Sequence, residues 1–234
     1  MNNLILDNLF IILYAISLIT SIIRYRRYYD SALKYLPIII GYTLANEILG
    51  GMIKYYNEIQ IVYSEGYALN NNLIFNIWDN IFFLYFFYVY WKMFNTIKFK
   101  KIARNGTLLY IGISIVNLFI QDFFIFTQIY SLVFGSLLIV IIAILYFVEL
   151  KRKPTSIPIS KNLLFWISIG LLIFYTFYPF IIILITNYFY EIYKPLNIRP
   201  FHLSLIILMY SCFIIGFIRM RRIRGSSVKL GDKV

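Results

Sequence analysis

Two carboxylates placed where carboxylates are rare offer the first chemistry in this chain. Glu47 lies in the apolar stretch Leu36 to Lys54, and Asp79 lies in the apolar stretch Asn72 to Tyr90. An ionisable group inside a membrane-embedded segment costs a few kcal/mol, so such groups usually have a partner or line an ion or solute path. Two neighbouring acids repel, and the pair relieves that repulsion by binding a proton or a cation.

Their neighbours are polar at helical spacing. Tyr42, Thr43, Asn46, Glu47, Gly50, Gly51 and Lys54 recur every three or four residues and form one stripe of a helix. Asn72, Asn76, Asp79, Asn80 and Phe83 do the same in the next stretch. Counted from the outer ends of their helices, both acids lie roughly 10 to 12 Å deep. They are level, and consecutive antiparallel helices pack together, which predicts a shared polar seam. Asn117 and Gln121, with His202 and Ser204, are placed to line the same outer cavity. The candidate ligand or cation pocket is therefore Glu47, Asp79, Asn46, Asn76, Asn80, Asn117 and His202. One reading makes these groups interhelical hydrogen bonds of about 1 kcal/mol or less each. The other makes them a small outward-open site for a proton, a cation or a cationic solute. An Asn would make the same bonds more cheaply than an acid, which argues for the site.

Other chemistries lack their residues. There is no GxxxxGK phosphate loop, no GxSxG and no HExxH. His202 is the only histidine, too few for a multi-histidine zinc hydrolase, and no metal or cofactor is expected. His202 and Cys212 are about 15 Å apart along one helix, beyond the reach of a nucleophile and its base. No enzymatic activity is expected. Cys212 is also the only cysteine, which excludes an internal disulfide.

The elements that must position the acids are membrane spans. The chain of 234 residues is 61% hydrophobic and only 14% charged, too little polar surface to cover a soluble globule of this size. A hydrocarbon core of roughly 30 Å takes about twenty apolar residues per crossing. Seven stretches qualify: 4 to 23, 36 to 54, 72 to 91, 107 to 121, 124 to 148, 162 to 188 and 201 to 219. Residues 107 to 148 are nearly continuous, broken only by Gln121, Asp122, Thr127 and Gln128. They are too long for one helix, and basic flanks on both sides demand an even number of crossings.

The expected fold is an all-α polytopic transmembrane bundle of seven helices. Nineteen of the 22 Lys and Arg residues fall in alternate connections and the tail, which puts the amino terminus outside and the carboxyl terminus inside. The formal charge of +12 thus marks topology rather than a nucleic-acid surface. No Lys or Arg precedes the first apolar run and no small-residue cleavage site follows it, so the first span is expected to be retained. Residues 1–220 form one transmembrane domain and residues 221–234 a short basic cytoplasmic tail. Tyr25, Tyr28 and Tyr29, then Tyr88, Tyr90 and Trp91, then Tyr188, Tyr190 and Tyr193 are expected in lipid-facing aromatic belts. Pro179 inside span six is a candidate hinge.

At NEILGGMIKYYNE, NLIFNIWDNIFFLYFFYVYWKMF and NLLFWISIGLLIFYTFYPFIIIL the chain resembles small uncharacterised seven-span inner-membrane proteins of Flavobacterium-like bacteria. The resemblance covers most of the chain in layout. It implies a bacterial inner (cytoplasmic) membrane location and assigns no activity to any residue. The functional expectation is a sensing or scaffolding module, whose outer polar pocket acts through a separate cytoplasmic or membrane protein partner. The alternative is a proton- or cation-coupled transporter of a small cationic solute.

Overall fold

The computed structural model describes residues 2–56, 59, 72–152, 158–186 and 198–221. Seven helices account for most of them: α1 (Asn2–Ile23), α2 (Leu36–Tyr55), α3 (Asn72–Met93), α4 (Ile97–Ile120), α5 (Ile129–Arg152), α6 (Leu163–Thr186) and α7 (Ile198–Arg219). No strand occurs among the described residues. Six helical segments are long and apolar enough to cross a membrane, and the described apolar part of α1, Leu9–Ile23, is shorter. Helices suit this composition because every backbone N–H finds its carbonyl within the same segment, where lipid offers no partner. The chain is a multi-pass membrane bundle.

The helix boundaries follow the expected spans to within a few residues, except at α4 and α5. The interrupted stretch 107–148 does turn at 121–128, but α4 begins ten residues before the expected start. Those extra turns carry Lys98, Lys100, Lys101 and Arg104. Helix geometry persists there because long basic side chains can reach the polar boundary while the backbone stays hydrogen-bonded. At the start of α2, Pro37 sits in the first turn, where its missing N–H costs nothing.

Helix α1 packs between α2 and α7, α7 lies on α6, α6 on α5, α5 on α3 and α3 on α2, so six helices close a ring. Helix α4 lies outside it against α3 and α5; 17% of its span is buried, against 39 to 50% in the other five. Close approach of α6 and α7 depends on Gly170, where a Cβ would stand 2.8 Å from the Met209 carbonyl oxygen.

Large rings fill the interior. Phe82, Phe83, Phe86, Phe87 and Tyr90 of α3 are fully buried, together with Tyr110, Tyr175 and Phe213 from its neighbours. Ser168 Oγ donates to the Leu164 carbonyl at 2.7 Å, so in its 2.8 Å contact with Tyr90 it is the phenol that donates. Tyr90 is therefore not a belt residue, and neither is Tyr28, which is fully buried and donates to the Ser21 carbonyl at 2.8 Å. Both point inward from their turns, whereas Tyr25, Tyr29, Tyr88 and Trp91 are exposed as a lipid-facing belt requires. Tyr188, Tyr190 and Tyr193 lie outside the described residues, as does the tail beyond Arg221.

The basic side is tied together by backbone acceptors. Arg27 Nη1 donates to the Met220 carbonyl at 2.9 Å, and the Arg221 N–H donates to the Lys161 carbonyl at 3.1 Å. These two bonds join three connections that carry positive charge.

Candidate functional site

The polar stripe of α2 and the first two turns of α3 meet beside one cavity. Thr43 donates its hydroxyl to the Ile39 carbonyl at 2.9 Å, which leaves its oxygen free to accept the Trp78 indole N–H at 3.0 Å. That bond fixes the indole and sets the register of α3 on α2 one residue before Asp79. One turn further along α2, Asn46 reaches the Ile74 carbonyl at the long distance of 3.5 Å.

The cavity measures about 290 Å³. Helix α2 contributes Thr43, Asn46 and Glu47 to its wall, and α3 contributes Phe75, Trp78 and Asp79. Tyr14 of α1 closes one side. Opposite stand Phe174 and Tyr178 of α6 and His202 and Tyr210 of α7. Asn72, the first residue of α3, and Thr127 of the α4–α5 connection also line it, so the cavity extends to the helix ends. Its other end stops at aromatic side chains: Trp78 lies 4.8 Å from Phe82, which packs on Phe86 at 4.7 Å and on Tyr175 at 5.7 Å, centroid to centroid.

The two acids differ in surroundings. Glu47 is half-buried and shares the cavity wall with Tyr14. Asp79 is 8% exposed, and its Oδ1 has no hydrogen-bond partner in the protein. No Lys or Arg is found among the described residues of the wall. Of the eight buried side-chain oxygens without a hydrogen-bond partner among the described residues, Asp79 Oδ1 is the one whose residue lines the cavity.

One wall is a stack of rings. Phe174 and Tyr178, four residues apart on α6, stack at 4.7 Å with their planes 25° apart, and His202 stacks on Tyr178 at 5.4 Å and 29°. Tyr14 meets Tyr210 edge-on at 4.3 Å. Rings in these arrangements offer faces with negative potential, which attract a cation.

No family model, curated protein or solved structure matches this chain. The site is accordingly read from its own geometry.

Of the residues singled out in the sequence, the cavity brings together Glu47, Asp79, Asn46 and His202. Asn76, Asn80 and Asn117 lie outside its wall. Asn76 donates to the Phe123 and Phe126 carbonyls at 2.8 and 2.9 Å and accepts the Gln128 N–H at 3.2 Å, holding the α4–α5 turn. Asn80 donates back to the Asn76 carbonyl at 2.8 Å and accepts from the Tyr110 hydroxyl at 3.0 Å. Asn117 is fully buried and faces Ser131 at 3.4 Å. Each of the three faces α4, α5 or their connection rather than α1 and α7. Pro179 is buried within an uninterrupted α6, next to Tyr178 of the cavity wall.

Sequence reasoning missed the rings. Tyr14, Trp78, Phe174, Tyr178 and Tyr210 sit in spans so rich in aromatic residues that nothing marks them, apart from the four-residue spacing of Phe174 and Tyr178. It also missed Glu149, a 6% exposed carboxylate near the end of α5, whose Oε1 accepts two backbone N–H groups ahead of α4.

Proposed function

We propose that this chain is a receptor-like membrane module that takes a small cation into its outer-half cavity and passes the occupied state to a separate protein partner. In this reading it has no enzymatic chemistry of its own. The amino terminus is outside, the carboxyl terminus inside, and the membrane is the bacterial inner membrane. The observation that carries the reading is that Asp79, whose Oδ1 has no partner in the protein, lines the same cavity as Glu47, with no Lys or Arg in the described wall to neutralise either acid. A cation supplies what the protein does not: positive charge for a carboxylate that is otherwise costly at this depth.

Binding is favoured over passage by the packing beneath. Phe82, which packs on Trp78 of the wall, is buried with Phe86 and Tyr175, and Tyr90 bridges α3 to α6 two turns below Phe82. One observation favours the transporter alternative. Pro179 withholds an N–H from the Tyr175 carbonyl, so the α6 ladder lacks a bond one turn below Tyr178. Bending there would move the ring wall.

The test uses the full chain in mild detergent. Cations should raise its melting temperature by mass action on the native state. Asp79→Asn and Glu47→Gln, which keep shape and most hydrogen bonding, should fold normally and lose that rise together with any cellular phenotype. If both amide variants match the parent in every assay, the acids are interhelical glue. Cation-driven uptake into vesicles containing the purified chain would replace the receptor reading with the transporter.

A further inference from the structure

The donor set of the cavity discriminates among cations. Calcium takes six to eight oxygen ligands, and magnesium demands a near-octahedral shell. Glu47, Asp79 and His202 all line the cavity, yet no group of three or more His, Cys, Asp or Glu that could hold a metal ion forms among the described residues. Most of the wall is instead aromatic or aliphatic carbon. The volume of about 290 Å³ falls at the lower edge of the range for drug-sized pockets, roughly 300 to 1,000 Å³.

Two features of the wall differ in what they ask of an occupant. Asp79 lines the cavity and has a carboxylate oxygen without a donor in the protein, so its carboxyl group calls for an N–H or O–H donor. The Phe174, Tyr178 and His202 stack has no hydrogen bond to offer along its faces, so it calls for carbon or diffuse positive charge. Glu47 is less deeply buried than Asp79, which leaves Asp79 as the cavity carboxylate with an oxygen lacking a donor.

We propose that the occupant is a small protonated amine whose ammonium N–H groups bond the Asp79 carboxylate and whose carbon skeleton lies against the Phe174, Tyr178 and His202 wall. This rests on the cation-site reading above and narrows it to a ligand class. A bare metal ion would use the acid and waste the rings. A quaternary ammonium would use the rings and leave Oδ1 without a donor.

The experiment measures the melting temperature of the full chain in detergent, at constant ionic strength, with n-butylammonium, tetramethylammonium, sodium or magnesium as chloride salts. Quenching of tryptophan fluorescence, which does not depend on unfolding, is followed in parallel. The expected result is a rise in melting temperature and saturable quenching with n-butylammonium alone. Both effects should be lost in Asp79→Asn. Apparent affinity should fall roughly tenfold in Tyr178→Leu and be retained in Tyr178→Phe, which keeps the ring should the leucine variant fold poorly. An Asp79-dependent response to sodium or magnesium and none to the amine would overturn the ligand class while leaving the cation site standing. A stronger response to tetramethylammonium than to n-butylammonium would overturn the hydrogen bond to the Asp79 carboxylate. An amine response that survives Asp79→Asn would place the amine elsewhere and overturn the proposal. Silence with every salt would bring down the cation site itself.

Discussion

Glu149 on α5 accepts the backbone N–H of Asn95 at 2.7 Å, and the same oxygen takes the N–H of Thr96 at 3.2 Å. A carboxylate from one helix thereby caps the start of another, where orphan N–H groups and the helix dipole both favour negative charge. The α3–α4 connection has only three residues between Met93 and Ile97, so this contact sets how the peripheral helix leaves the ring. The bond counts for more than its length because Thr96, the residue before α4, provides no side-chain cap itself.

Truncating that carboxylate should therefore loosen α4. Glu149→Ala leaves two N–H groups unpaired and is expected to cost about 2 to 3 kcal/mol, whereas Glu149→Gln keeps an acceptor oxygen and should cost about 1 kcal/mol. Thermal unfolding in detergent separates the two. An alanine variant as stable as the parent would show that water replaces the carboxylate without loss.

Asn76 offers a test of glue against site. Its amide holds two carbonyls and one N–H of the α4–α5 turn, and it lies outside the cavity wall. Asn76→Asp removes both donors and sets a carboxylate against two carbonyl oxygens, so it should destabilise more than Asn76→Ala, which is expected to cost about 2 kcal/mol. Where Asn76→Ala folds, its amine response should match the parent's. Loss of that response in a stable variant would put Asn76 in the site.

Orientation is tested by fusion. With nineteen basic residues on one side, alkaline phosphatase joined at Gly66 or Asn197 should be active, and at Lys153 or Lys229 inactive. Activity at Lys153 would mean that residues 107–148 do not cross twice, and the seven-span topology would go with it.

Tyr28 gives the bundle an alkaline limit. Burial pushes its phenol above the ordinary tyrosine range, and ionisation would forfeit the bond it donates to the Ser21 carbonyl. Below about pH 10 the phenol is neutral in both folded and unfolded chains, and its contribution is intact. Above that, the unfolded chain sheds the proton and the folded one keeps it, so stability falls as pH rises. Tyr28→Phe has no proton to shed. Its melting temperature should start lower at neutral pH, by the equivalent of about 1 kcal/mol for the Ser21 bond, and fall less steeply between about pH 9 and 11. Parallel slopes for parent and variant would contradict this.

Hydropathy and charge in the sequence by themselves determined the class and the layout. Apolar runs of membrane-crossing length can only become helices, and an even number of crossings between two basic flanks splits 107–148 at its polar residues, where the chain turns. That Glu47 and Asp79 line one cavity was equally legible, since rise per residue sets both at a similar distance from the ends of adjacent helices. Rotation and neighbourhood were not. Tyr28 and Tyr90 belong to the same aromatic clusters as Tyr25 and Tyr88, and only packing turns the first pair inward. Asn76 and Asp79 share a helix stripe, yet one faces the α4–α5 turn and the other the cavity, because α3 is enclosed on several sides at once. The ring wall pairs α6 with α7, and Trp78 is fixed by Thr43 from α2; contacts between residues so far apart in the chain leave no periodic trace along it. Tertiary structure alone decided which polar groups satisfy one another, and that, of the buried oxygens without a partner among the described residues, only Asp79 Oδ1 belongs to a residue of the cavity wall.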